Sequence, residues 1–258
     1  MFKINNNKLK IGNYFAWLVM ANVILLNSSI AMAEETNIEK TTIRNSDYGL
    51  PTHRRNGGSR GVEDGCLADA ESRNLIALVP EKNVGINTAK SPQIFFYIPK
   101  INQQKPLEFV LRNEQDELIY EAFLQTTGDG IIGIEVPDNV SANLLETDRN
   151  YHWYLSIVCN FQQRSRDLVV EGWLHQGDVD LATKNELNTA SAIEQAELYH
   201  QQGYWYDALA VLADTHQSSN QQEQPIIREK WTELLGSVGL DNLAQKPFID
   251  SQLIESSY

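Results

Sequence analysis

Few side chains of this 258-residue chain could do chemistry, and none stands at a diagnostic spacing. Zinc sites need His or Cys ligands at short fixed intervals, and His53, His152, His175, His200 and His216 are scattered without one. Asp178, Asp180 and Glu186 loosely follow a calcium loop, but Thr183 and Thr189 stand where the loop needs a glycine and a glutamate. There is no HExxH and no CxxC. His53 to Gly61 carries arginines and glycines that suit an anion, yet it lacks the GxxxxGK[ST] pattern and a preceding strand. Asp167 and Glu171, beside Arg164 and Arg166, are the carboxylates best placed to act as an acid–base pair; a surface ion pair is the plainer reading. No catalytic residue, metal or cofactor is expected.

The aromatics carry more information. Trp153, Tyr154 and Trp173 fall on neighbouring candidate strands, where flat rings suit stacking on a glycan. Tyr199, Trp205 and Leu212 fall along a helical pattern and would line a groove for a partner peptide or helix. The alternative for both sets is a joint between a β part and an α part.

The elements that must hold these residues come in two blocks. Between residues 74 and 177, seven short runs rich in Ile, Val, Phe, Tyr and Trp read as strands. They are Leu75–Val79, Ile94–Ile98, Leu107–Arg112, Leu118–Leu124, Ile131–Val136, Tyr151–Cys159 and Leu168–His175. Asn113 to Glu117 is a polar hairpin turn, and no helix intervenes, which points to an antiparallel β-sandwich. Leu145 six residues before Tyr151 resembles the tyrosine corner of immunoglobulin-like sandwiches. Along that strand Tyr151, Trp153, Leu155, Ile157 and Cys159 share one face, the core face; His152, Tyr154, Ser156 and Val158 share the other. Residues 178–188 read as a linker. Residues 189–250 read as helices, and Ala196, Tyr199, Gly203, Trp205, Ala208 and Leu212 resemble one hairpin of a tetratricopeptide repeat. Residues 251–258 read as a tail.

The N-terminus supplies an address. Lys3, Lys8 and Lys10 precede an apolar run from Tyr14 to Leu26, and Ala31-Met32-Ala33 offers small residues at both positions read by a signal peptidase. The run is shorter than the roughly 20 residues that span a bilayer, so residues 1–33 are read as a cleaved signal peptide. Residues 34–73 then form a flexible Arg- and Gly-containing arm. The formal charge of −13 becomes −16 after cleavage, with 18 basic residues against 34 acidic ones, which excludes nucleic acid as a partner. Cys66 and Cys159, the only cysteines, would pair in an oxidising compartment; two separately buried thiols are the alternative.

Several blocks in order give a resemblance over about Arg54 to Pro247. They include Gly57-Gly58-Ser59-Arg60-Gly61 before Cys66, Phe95-Phe96-Tyr97-Ile98-Pro99 and Tyr151-His152-Trp153-Tyr154. Val170-Glu171-Gly172-Trp173 and Gly203-Tyr204-Trp205-Tyr206-Asp207-Ala208-Leu209 follow. The chain resembles a cyanobacterial family catalogued as a domain of unknown function, the one numbered 928, exported and without established activity. The resemblance implies no reaction, cofactor or catalytic residue. The expectation is an exported, periplasmic or extracellular, non-catalytic interaction or scaffold protein of the cell envelope, its partner an unidentified protein or polysaccharide. Glycan binding is the alternative, and carboxylate-dependent hydrolysis stands third.

Overall fold

Burial alternates along β4 (Pro106–Arg112), β8 (Leu168–Gln176) and most of β7 (Arg149–Ile157), the period of a sheet with one covered face. With β2 (Gly85–Asn87), β5 (Leu118–Thr126) and β9 (Ser251–Ser257) they form a six-stranded sheet in the order β2-β8-β7-β4-β5-β9. Every pairing in it is antiparallel except β2 with β8. The computed structural model describes residues 53–56, 66–67, 74–81, 84–101, 105–218 and 224–257. The N-terminal segment with Ala31 and Ala33, and the Gly57 to Gly61 run, lie outside them.

β3 (Gln93–Ile98) is different. Its Ile-Phe-Phe-Tyr-Ile run is apolar without alternation and buried throughout, which requires cover on both faces. It is the centre of a three-stranded sheet, between β1 (Ile76–Ala77) and β6 (Gly130–Glu135). Phe96 meets Phe109 and Trp153 of the large sheet edge-on. Phe95, the next residue and so on the opposite face, meets Trp231 of a helix. The small sheet is therefore a shared middle layer, and one apolar core runs through both sheets and the helices.

Five α-helices lie among the described residues: α1 (Asp138–Leu144), α2 (Leu181–Leu187), α3 (Ala192–Gln202), α4 (Trp205–Ser218) and α5 (Gln224–Gly236). A capping box between Ser191 and Glu194 starts α3. Gly203, at φ 82°, ends it in the left-handed conformation that glycine adopts without strain, and α4 begins two residues later. None of the five is long and apolar enough to cross a membrane.

Four boundaries differ from expectation. The segment read as a linker holds α2, started by Asp180, whose carboxylate accepts from the N–H groups of Ala182 and Thr183. The segment read as a tail is β9, paired with β5. The helices share the core with the sheets instead of forming a separate domain. Part of the arm is stitched in. His53 and Glu171 exchange backbone hydrogen bonds at 3.1 Å, and the buried Arg54 guanidinium donates to the carbonyls of Val79 and Val238 at 3.2 and 2.7 Å. Cys66 and Cys159 are bonded as a disulfide.

Candidate functional site

The Tyr151–Tyr154 and Val170–Trp173 blocks are register partners. His152 faces Trp173 across the strands, Trp153 faces Gly172, and Tyr154 faces Glu171. Because neighbours on a strand point to opposite faces, the pairing splits the aromatics into an inner and an outer set.

The inner set is structural. Trp153 is fully buried, its indole N–H donates to the Tyr206 hydroxyl at 2.9 Å, and that hydroxyl donates to the Trp173 carbonyl at 3.1 Å. Gly172 is required here, since a Cβ at that position would lie 2.3 Å from the Trp153 ring. Gly85 gives way to Tyr206 in the same manner. Trp153 therefore presents no face to a sugar, which corrects its place in the glycan reading.

The partner groove is corrected for the same reason. Trp205 is 5% exposed and Leu212 2%, because both pack into the core, and Tyr199 is half-buried against Tyr204. The first turn of α4 is a plug. The Trp205 indole N–H donates to the Leu78 carbonyl at 2.8 Å, Tyr206 reaches Trp153, and the Asp207 carboxylate accepts from Thr88 N–H, Thr88 hydroxyl and Ala89 N–H. What remains of the groove is a cleft of about 240 Å³ between Pro80, Val84, His200, Gly203, Trp205, Ser237 and Val238.

Burial pushes the Asp207 carboxyl up to about 6, although its three donors hold it down. The native state therefore favours the protonated form. The stability this contributes is complete below the ordinary aspartate range and is lost as pH rises through about 6. A gap of roughly two pH units corresponds to about 3 kcal/mol. Chemical denaturation between pH 4 and 7 is expected to show stability falling with pH in wild type and a flatter profile in Asp207→Asn. Equal slopes would contradict the assignment.

The outer set gathers on the open face of the large sheet. Arg112, His152 and Trp173 form one row across β4, β7 and β8, and Val110, Tyr154 and Glu171 form the next. The His152 ring stacks on Trp173 at 4.2 Å and 12°, and its centroid also lies 4.2 Å from that of the Tyr154 ring, tilted by 38°. His152 Nδ1 is 2.8 Å from the Tyr154 hydroxyl; Nε2 is 3.2 Å from Glu171 Oε2, at ion-pair distance but off the hydrogen-bonding direction. Glu171 Oε1 meets Nδ1 of the exposed His53 at 2.6 Å. Burial pushes His152 below the ordinary histidine range against the pull of Glu171. Burial, then the Glu171 charge, push the Tyr154 phenol up.

Trp173 and Tyr154 are thus brought together, and His152, Glu171 and His53 join them. His53 and Glu171 are 118 positions apart, so no local spacing could have paired them. Asp167 plays a different part. It accepts from the Cys159 N–H at 2.9 Å and pairs with Arg164, which also holds Glu108, so it orients the disulfide turn. No group of three metal-ligating side chains lies among the described residues. The expectation that no diagnostic spacing is present is corrected at one place: Gly57-Gly58-Ser59-Arg60-Gly61 satisfies GxSxG by letter, but it falls outside the described residues. That motif acts from a strand-to-helix elbow, and the next described elements are a bridge at Leu67 and then β1.

No curated protein and no solved structure matches the chain. The chain belongs to the family described as Domain of Unknown Function (DUF928), whose model matches residues 55–248.

Proposed function

We propose that the chain is an exported, non-catalytic binding module of the cell envelope, in the periplasm or beyond it, whose ligand is a neutral polysaccharide held on the outer face of the large sheet. The observation that carries this is the row Tyr154, His152 and Trp173, three rings in contact on a sheet face, flanked by Glu171, His53 and Arg112. Rings supply apolar area to the C–H faces of a sugar, and the flanking groups supply donors and acceptors for its hydroxyls. One buried polar atom of the stacked pair, Trp173 Nε1, has no hydrogen-bond partner. Such atoms are rare in finished interiors. The acidic balance of the chain, −13 overall, favours an uncharged ligand over an anionic one.

Export is supported by the basic start, the apolar run and Ala31-Met32-Ala33, together with a disulfide that needs an oxidising compartment. An immunoglobulin-like form of the two sheets is supported by Tyr151, whose phenol accepts from the Glu146 N–H and donates to the Leu144 carbonyl. The α3–α4 pair, turned at Gly203, suits a single hairpin of tetratricopeptide type that docks on the small sheet.

Trp153, Trp205 and Trp231 are buried, so Trp173 is the half-exposed indole among the described residues, and a ligand on this face should change its share of the emission. Titration with neutral envelope polysaccharides is expected to shift tryptophan emission. Trp173→Ala should weaken binding by roughly tenfold or more, the effect of losing an aromatic anchor. Emission unchanged across the panel, or full binding by Trp173→Ala, would overturn the reading.

A further inference from the structure

Among the described residues, three of the four sheet edges are closed by the chain itself. At β1, the Ala77 N–H donates to the Arg54 carbonyl and the Asn56 N–H to the Leu75 carbonyl. At β6, the Ile131 N–H donates to the Pro247 carbonyl at 2.7 Å and the Ile249 N–H to the Ile131 carbonyl at 2.9 Å. The short β2 edge is closed by α4, with Tyr206 over Gly85 and the Asp207 carboxylate on the N–H groups of Thr88 and Ala89.

The fourth edge is β9, and no strand or loop covers it among the described residues. It is seven residues long, Ser-Gln-Leu-Ile-Glu-Ser-Ser, more than a typical edge strand. It contains no proline, lysine or arginine, the residues with which proteins usually protect an open edge. A bulge opposite Phe123 leaves Ile254 without a partner on β5. Leu253 and Ile254 are 58% and 56% exposed, two adjacent apolar side chains at the rim of a sheet.

We infer that a second copy of this chain pairs on β9, antiparallel across a two-fold axis, so that two six-stranded sheets join. The strand suits its own copy. With the axis at Ile254, that residue meets its equivalent, Leu253 faces Glu255, Gln252 faces Ser256 and Ser251 faces Ser257. The one carboxylate of the strand thus never opposes another, and like charges directly opposite are what destabilise a strand pair. Two-fold symmetry satisfies the open backbone groups of both copies in one step. One strand pair is a small interface, so the association is weak and depends on concentration.

Sedimentation equilibrium of the full chain tests this. Between about 1 and 100 μM the apparent mass is expected to move from one chain towards two, as for a dissociation constant in the micromolar range. Ile254→Lys should weaken the association by about tenfold or more, since it seats like charges on the axis. Leu118→Lys, at a 46% exposed position on β5 three residues beyond the last residue that pairs with β9, should leave it unchanged. A single-chain mass at the highest concentration overturns the inference, whether the edge is bare or covered by the chain's own N-terminal residues. So does an association that Ile254→Lys does not weaken, or that Leu118→Lys weakens as much.

Discussion

Trp205→Ala is expected to lower folding stability by about 3–5 kcal/mol, the range for truncating a large buried aromatic. The indole is 5% exposed, and its N–H satisfies the Leu78 carbonyl at the end of the small sheet. Truncation leaves a cavity between α4 and β1 and strands that carbonyl without a donor. Because Trp205, Tyr206 and Asp207 fasten α4 to both sheets, helices and sheets should melt as one unit in wild type and variant alike. For a chain of this size the midpoint should fall by roughly 10 °C, with far- and near-ultraviolet circular dichroism giving coincident transitions. A helical signal that melts first, in its own transition, would restore the helices to an independent domain.

That result would bear on a boundary the sequence obscures. Gly203 and the aromatics after it mark a helix junction clearly, but nothing local says that three consecutive side chains of its first turn reach three different partners. Trp205 meets a carbonyl 127 positions away, and Asp207 meets a loop 119 positions away. Periodicity describes which face of an element is apolar, and it is silent on what that face meets. For the same reason the unbroken apolar run of β3 is legible as a strand, while its position between a sheet and helices is not.

The elements that escaped are those with weak pattern. β2 is three residues long, and β9 is an edge strand whose sequence, Ser-Gln-Leu-Ile-Glu-Ser-Ser, has no alternation to read. Residues 178–188 look like a polar linker because α2 buries only Thr183 and Leu187. α1 corrects the expectation that no helix intervenes among the strands: it is seven residues long and starts after Pro137 without a side-chain cap, so it carries little signal.

The candidate site was half legible. The two faces of Tyr151–Ile157 follow from strand period alone, and that period already places Trp153 in the core. A glycan-binding face can therefore hold Tyr154 and Trp173 but not Trp153. His152 was on the correct face, but its stacking on Trp173 depends on the β7–β8 register. Ser156 and Val158, on the face opposite the core residues, are buried as well, so the chain is covered on both sides as it leaves the sheet towards Cys159.

Reduction of the Cys66–Cys159 bond is expected to lower stability by about 4–5 kcal/mol in the chain-entropy account, because the bond closes a loop of 93 positions in the unfolded chain. The bond also ties the end of β7 to residues 66–67, where Leu67 bridges Ile101, and Asp167 and Arg164 hold the Cys159 turn in place. Cys66→Ser with Cys159→Ser should therefore lower the denaturation midpoint and raise the denaturant slope, since an unlinked unfolded chain exposes more surface. A midpoint that drops with an unchanged slope would place the effect in the native turn, and no drop at all would contradict the account. A chain that loses this much stability on reduction reaches its working stability only where the bond can form. That is the kind of compartment to which the pattern of residues 1–33 points, so a large loss would agree with the export proposed above. If the reduced protein is as stable as the oxidised one, the fold has no stake in its compartment, and export rests on the N-terminal pattern alone.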